Sequence, residues 1–296
     1  MNLETTFTDF LARENLVGKK LLLAVSGGVD SMTLLDVVCT TVDLKQVAVF
    51  HLDHGVRKQS KKDSEFVQKM CSTKDIPFYG EKLDTVPSKN KENSWRAERN
   101  IRSENARKHF EAERILTAHH ATDLVETMIF RLTKGTGLAG LSPFDISTKP
   151  LWNVPRRDIE AYAKENKIKF VEDKSNKDTE FERNLIRHKV VPHLRKITPN
   201  LEKVFVTEAE IFSETAKFVQ LEMKRHLQSK NITLEVFTEL HPTLQKEFLR
   251  HIASKTPSSS EVDDCLKWIC GDPKGNSKKS IGGTALKIVE KKLTWE

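Results

Sequence analysis

A short apolar run, Lys20-Leu21-Leu22-Leu23-Ala24-Val25, ends in Ser26-Gly27-Gly28 and passes at once into apolar residues at helical spacing, Met32, Leu35, Val38 and Val42. An apolar run of this length with a glycine pair behind it reads as a buried strand entering a tight turn, and the change of period marks a helix. The same alternation recurs along the chain. Val47 to Leu52 reads as a second strand before a helical pattern through Phe66, Val67 and Met70. Ile76 to Tyr79 predicts a third strand, Asn93 to Phe110 a helix, and Arg114 to Ala118 a fourth strand. A helix then starts near Ala121, carries Leu124, Met128, Ile129 and Leu132, and breaks at Gly135-Thr136-Gly137. Parallel neighbours need long, right-handed crossovers that put helices above and below the sheet. The expected fold is therefore α/β: a doubly wound, mostly parallel sheet that binds ligands at the carboxyl ends of its strands.

After Pro150 another helix is expected over Pro155 to Lys167, and around Pro199-Asn200 the texture changes. Val204, Glu208, Ile211, Phe218 and Met223 suggest one long helix from Leu201 to Leu227. Phe237–Ser254 and Ser260–Cys270 look helical, and Thr284–Val289 looks like one strand of a hairpin. A chain of 296 residues exceeds the usual single-domain size. The expected division is residues 1–200 as the larger, α/β domain and 201–296 as a smaller, mainly helical domain.

The charged fraction, 31%, and a mean hydropathy of −0.49 exclude a fibrous or membrane-embedded class. No apolar run approaches the roughly 20 residues of a spanning helix, and Met1 to Phe10 lacks the basic-then-apolar plan of a secretory leader, so a cytoplasmic protein is expected. Cys39, Cys71, Cys265 and Cys270 form no CxxC pair, which argues against a disulfide framework and a zinc knuckle. A net charge of +7 favours a polyanionic partner, as would a merely lysine-rich composition.

The turn Ser26-Gly27-Gly28-Val29-Asp30-Ser31 suits a phosphate. Paired glycines let the backbone approach the ligand with several N–H groups, the following helix adds its positive end, and Ser26 and Ser31 add hydroxyls. It is neither a Walker loop nor a GxGxxG turn. An acid beside a phosphate needs a cation between them, so Asp30 is assigned to Mg²⁺; the plainer reading is a first-turn acid complementing the helix dipole. Asp123 and Glu126, three apart at a helix start, share a face and could clasp a cation or an ammonium group, or simply complement that dipole. Arg99 and Arg102 share a helix face and could neutralise phosphate charge. Arg183, Arg187, Lys189, Arg195 and Lys196 form a basic stretch that could steer a nucleic acid or remain a solvated face.

Ser26 to Ser31 resembles the PP-motif of the ATP pyrophosphatase superfamily, whose fold is adenine nucleotide alpha hydrolase-like and whose members split ATP between the alpha and beta phosphates. Three further stretches are similar to the tRNA(Ile)-lysidine synthetases within it: His51-Leu52-Asp53-His54-Gly55-Val56-Arg57; His119-His120-Ala121-Thr122-Asp123-Leu124-Val125-Glu126-Thr127 with Gly135-Thr136-Gly137-Leu138; and Glu172-Asp173-Lys174-Ser175-Asn176 with Arg183, Asn184 and Arg187. Arg99 and Arg102 resemble the family's ARxxRY element. Two positions depart from the pattern: Thr122 replaces the first of paired acids, keeping an oxygen but losing a charge, and Trp95 stands where a Glu usually precedes the arginine pair.

The resemblance implies a ligase that uses ATP and Mg²⁺ to adenylate the wobble cytidine of tRNA(Ile) and then joins L-lysine to it. The catalytic set expected is Asp30, Asp123, Glu126 and Arg99, with Asp30 and Asp123 on the metal and Ser26 to Ser31, Val29 included, on ATP. Asp53, Arg57, Arg102, His120, Arg183, Asn184 and Arg187 are expected to bind substrate, and residues 201–296 to contact tRNA. No membrane partner is expected, and the oligomeric state stays open, a homodimer among the options. The rival expectations are a tRNA thiolase of the same superfamily and a tRNA-binding protein that has lost catalysis.

Overall fold

The computed structural model describes residues 2–53, 60–83, 92–171, 182–226, 231–271 and 277–296. Two compact units make up the chain, Met1–Glu210 and Ile211–Glu296.

In the first unit, helix α1 (Leu3–Arg13) leads into β1 (Leu21–Ala24), α2 (Val29–Thr41), β2 (Val47–Asp53), α3 (Ser60–Thr73), β3 (Phe78–Lys82), α4 (Glu92–Phe110), β4 (Arg114–Thr117) and α5 (Ala121–Lys134). The four strands pair in parallel in the order β3-β2-β1-β4. Alternate side chains leave a strand on opposite faces. Leu21 and Leu23 therefore join Val47 and Val49 on the face covered by α1, α2 and α3, through Phe7, Val38 and Val67 among others. Leu22, Ala48 and Phe50 point the other way, towards Ala106 and Ala112 at the end of α4. Strands buried on both faces read as unbroken apolar runs, which is why Lys20–Val25 showed no alternation. The third strand starts later than its apolar residues suggest. Pro77 has no N–H to donate, yet its carbonyl accepts from Val49 N at 2.9 Å, and the paired ladder begins at Phe78.

The strand order reverses beside β1: β2 and β3 extend the sheet one way, while β4 returns to its other edge. Ligands in open α/β sheets bind in the crevice outside such a reversal. The chain leaving β4 continues through α5 and two short 3-10 turns to α6 (Arg156–Glu165). A later stretch runs as α7 (Glu182–Leu185), a π-helical turn Ile186–Val190, and α8 (Val191–Ile197). Helix α9 (Leu201–His226) begins in this unit, and the division between units falls within it.

In the second unit, β5 (Asn231–Thr233), β6 (Ser277–Ile281), β7 (Thr284–Val289) and β8 (Lys292–Trp295) form an antiparallel sheet in the order β5-β8-β7-β6. Its apolar face, Ile232, Ile281, Leu286, Ile288 and Leu293, packs with Phe237, Phe248, Val262 and Ile269 of helices α10 (Leu234–Glu239), α11 (Pro242–Ile252) and α12 (Ser259–Cys270). The single helix expected over Phe237–Ser254 is two. Pro242 occupies the first turn of α11, where its missing N–H is harmless, and His241 caps that helix through Thr243 N. Among the described residues no helix is long and apolar enough to cross a membrane.

Candidate functional site

The turn after β1 and the start of α5 after β4 face each other at the reversal point. Gly27 adopts φ +90°, a conformation that suits glycine, and a Cβ there would come within 3.3 Å of Val67. Its carbonyl accepts from Val171 N at 2.9 Å. Ser31 ties the turn together: its Oγ accepts from Ser26 N at 3.2 Å, lies 3.1 Å from Ser26 Oγ and donates to the Gly28 carbonyl at 3.0 Å. Helix α2 has Gly28 as its N-cap and, among the described residues, no side-chain capping bond, while Gly28 N donates to Ser26 Oγ at 3.4 Å. Ser26 is exposed, and Gly28, Val29 and Asp30 are half-buried.

Asp30 projects from the first turn of α2. Its Oδ1 is shut off from solvent and accepts no hydrogen bond among the described residues. Around it stand His120 Nε2 at 3.7 Å and Arg156 Nε at 4.0 Å, both beyond hydrogen-bond length. Burial pushes the carboxyl pKa above the ordinary value of 3.8, with His120 and Arg156 opposing. A buried carboxylate oxygen without a partner is costly unless something charged arrives.

At the start of α5, His120 and Asp123 form a reciprocal cap: Asp123 N donates to His120 Nδ1 at 3.2 Å, and His120 N donates to Asp123 Oδ2 at 3.2 Å. With Nδ1 accepting, the neutral ring carries its proton on Nε2, which points between Asp30 and Asp123, 3.5 Å from Asp123 Oδ2. Burial works to raise the Asp123 pKa, but His120, Arg183, His119 and Arg187 together hold it below the ordinary value.

Glu126 is fully buried and its two oxygens are occupied. Arg187 Nε meets Oε1 at 2.6 Å, Arg187 Nη2 meets Oε2 at 2.9 Å, and Arg183 Nε meets Oε2 at 3.2 Å. The same two arginines reach Asp123 Oδ1, at 3.4 Å from Arg183 and 3.1 Å from Arg187. Both arise from the α7–π-turn segment, on which Asn184 is half-buried. The basic stretch read as possible solvent-facing charge thus divides, with Arg183 and Arg187 turned into the site and Arg195 onto Glu202.

Thr122 bonds the starts of α6 and α9. Its hydroxyl donates to Glu202 Oε1 at 3.2 Å and accepts from Arg156 N at 3.3 Å. Arg102 pairs with Glu81 at 2.8 Å and Glu98 at 3.3 Å, along the rim by β3, while Arg99 is exposed on α4 and its charge reaches His119 and Lys149. Asp53 is buried at the carboxyl end of β2. Arg57, His54 and Glu172–Asn176 lie outside the described residues, as does the side chain of Trp95. Arg156 and Glu202 escaped the reading of the sequence, because neither belongs to a local pattern and only packing brings them to this place.

A doubly wound parallel sheet, with an uncapped glycine turn after its first strand and an acid–histidine–acid group across the reversal crevice, defines a nucleotide-binding protein that handles phosphate. The chain belongs to the PP-loop domain family, which matches residues 1–194. Among curated proteins it is similar to the tRNA(Ile)-lysidine synthases of Thermosipho africanus, 36% identical over 72% of this chain and 53% of the relative, and of Petrotoga mobilis, 38% identical over 65% of each. A third, from Bacillus licheniformis, is 34% identical over 72% of this chain and 48% of its own length. The chain thus spans about half to two thirds of the length of these relatives. Among solved structures, a U34-tRNA thiolase from Methanococcus maripaludis shares the fold with a TM-score of 0.60 at 15% identity, over 72% of this chain and 78% of that one.

Proposed function

We propose that this protein is an ATP-dependent tRNA-modifying ligase that converts the wobble cytidine of tRNA(Ile) with a CAU anticodon to lysidine. The cytidine 2-carbonyl oxygen attacks the alpha phosphorus of ATP and pyrophosphate leaves. The lysine ε-amine then bonds to C2, AMP leaves, and the amine loses its proton. The observation that carries this reading is Asp30 Oδ1, which is buried and accepts no hydrogen bond among the described residues, beside the N-terminus of α2 at the switch point and opposite His120 and Asp123.

In this reading the N–H groups of Val29 to Ser31, with the Ser26 hydroxyl that Gly28 N supports at 3.4 Å, take the pyrophosphate half of ATP. Asp30 fits a Mg²⁺ ion, since a cation would relieve its isolated buried oxygen, and Asp123 is the second carboxylate within reach of the same space. Among the described residues no group of three or more His, Cys, Asp and Glu side chains stands ready for a metal, so such an ion would need phosphate and water oxygens to complete its shell. When bound, Mg²⁺ would supply charge neutralisation at the phosphates. His120, with its proton directed between the two acids, fixes their separation and can donate to an oxygen placed there. Glu126 enters through Arg187 and Arg183, whose guanidinium groups it holds at the mouth of the site; Arg99 and Arg102 line the α4 rim.

Asp53, Arg57 and Asn184 are assigned to the substrate side, and residues 201–296 to tRNA contact, with Lys278, Lys287 and Lys292 as candidates on the second sheet. Such binding should weaken steeply with salt. The cytoplasm is the proposed place of action. The thiolase reading is disfavoured by the cysteines. Burial pushes the Cys39 thiol up to about 11 and Cys71 up to about 12, so neither is a ready nucleophile.

The test is incubation of the protein with ATP, labelled lysine and a tRNA(Ile) transcript carrying CAU. Covalent label on the tRNA with lysine-dependent pyrophosphate release is expected. Sulfur incorporation would establish the thiolase, and tRNA retention without ATP turnover would reduce the chain to a binder.

A further inference from the structure

The Glu202 carboxylate is 3% exposed, yet it lies outside the machinery just described. It accepts from Thr122 Oγ1 and from Arg195, through Nε at 3.1 Å and Nη2. Arg195 and the hydroxyl outweigh the cost of burial and hold its pKa below the usual range, so it stays charged at neutral pH. Thr122 has one hydroxyl proton and spends it on Glu202, which leaves its lone pairs for the Arg156 backbone N–H at the start of α6. Thr122 also precedes Asp123 directly, and Arg156 carries its guanidinium towards Asp30 while pairing with Glu160 at 2.9 Å. Beside this relay, Leu201 and Phe205 of α9 pack with Val125, Ile186 and Val191, beneath α5 and the arginine-bearing segment. The first turn of α9 therefore touches the supports of the charged groups that face the crevice.

We infer that Glu202 is a positioning residue for the ATP site: through Thr122 it sets the start of α5 against the start of α6, and so aims Arg156 and Asp123 at the space beside Asp30. A carboxylate accepts in several directions and can serve Thr122 and Arg195 together. The threonine is then fitted to its neighbour. An acid at position 122 would set a second carboxylate against Glu202 in a buried place, where like charges repel strongly.

This inference rests on the reading of the site as an ATP site, and its test separates the two. Binding of a non-hydrolysable ATP analogue with Mg²⁺ is measured by calorimetry without tRNA or lysine, together with the thermal midpoint and, in the full assay, kcat and KM for ATP. Thr122→Val and Glu202→Gln should each weaken analogue binding and kcat/KM about tenfold per folded molecule. The double variant should be no worse than either alone, because both break the same relay. Thr122→Ser, which keeps the hydroxyl, should behave as the parent protein does. Thr122→Asp should lower both kcat/KM and the midpoint, with part of each loss restored by adding Glu202→Gln.

Losses that multiply in the double variant, losses that follow the midpoint with unchanged kcat/KM per folded molecule, or a gain of turnover in Thr122→Asp would each overturn the inference. If the parent protein binds the analogue yet labels no tRNA with lysine, the proposed reaction fails while the relay is still judged by analogue binding. If the parent binds no analogue, both fail.

Discussion

Helices α2 and α5 both start at the carboxyl end of a strand of the same sheet and both carry an acid in their first turn, yet they are finished in opposite ways. The α2 start has a glycine cap with no side chain to fill it, and Asp30 Oδ1 has no hydrogen-bond partner among the described residues. The α5 start is closed by the His120–Asp123 reciprocal cap, and Asp123 and Glu126 are held by Arg183 and Arg187. Two helix starts that each carry a first-turn acid thus end differently, one with a carboxylate oxygen that accepts no hydrogen bond among the described residues and one with its acids bonded to arginines. Part of the difference is local, glycine against histidine at the cap, and part lies in Arg183 and Arg187, which arrive from elsewhere in the chain.

The contrast can be broken most forcefully at Glu126. Removing one partner of a buried charge cluster costs about 3–5 kcal/mol, so Glu126→Ala should lower the thermal midpoint by roughly 6–20 °C. A fall of less than about 2 °C in a melting experiment would mean the arginine pairs contribute little and the two helix starts differ less than their geometry suggests.

Asp30→Asn should do the reverse, cutting ATP turnover about a hundredfold, on the order of the loss of one charge-stabilising group, while leaving the protein at least as stable. Its raised pKa means that the folded state holds this proton more tightly than the unfolded chain does. The stability lost by ionisation develops as pH rises from the unfolded value of 3.8 through the folded one and persists at neutral pH. Asparagine removes that loss, so melting curves at neutral pH should show an unchanged or raised midpoint beside the depressed kcat; a lowered midpoint would show that Asp30 is a structural acid like Glu126.

Gly27→Ala sharpens the same point at smaller scale. A side chain at φ +90° within 3.3 Å of Val67 must reshape the turn, and an approximately tenfold rise in KM for ATP is expected from steady-state kinetics. Unchanged KM would remove the turn from the ligand site.

The last effect appears only in acid and concerns His119, beside the α5 start, whose pKa burial depresses from 6.5 to about 4 while Thr117 Oγ1 lies 2.9 Å from its Nδ1. Between those values the unfolded chain takes the proton first, so stability should fall as pH drops through that window, by at most about 1.4 kcal/mol per pH unit. His119→Gln should flatten that part of the midpoint-against-pH curve, and an identical curve would show that the imidazole is not kept neutral by the fold.

The sheet was legible because its strands are buried on both faces and interrupted by helical periods, so Leu21–Leu23 and Val47–Leu52 announce themselves without alternation. The glycine turn was legible for a related reason, since backbone conformation and helix start are local properties. Where reading stopped short, a non-local bond or a missing N–H was responsible. Pro77 delayed β3, Pro242 split a helix, and four strands assembled where one hairpin had been visible, because β5 joins β8 across more than fifty residues of other structure. Asp123 and Glu126 were placed on one helix face correctly, but their arginine partners come from some sixty positions later and carried no signal of pairing.

Short-range order, namely the periods of apolar residues, the turn chemistry and the motif spacing, therefore determined the α/β class and the location of the glycine turn, since these depend on steric preferences acting within a few residues. Whether a given carboxylate finds its hydrogen-bond donors within the chain was decided only by the tertiary structure. Coulomb attraction and hydrogen bonding act through space, and nothing in the order of residues says that Glu202 will meet Thr122, or that Arg187 will bond Glu126 while His120 and Arg156 stop beyond hydrogen-bond length from Asp30.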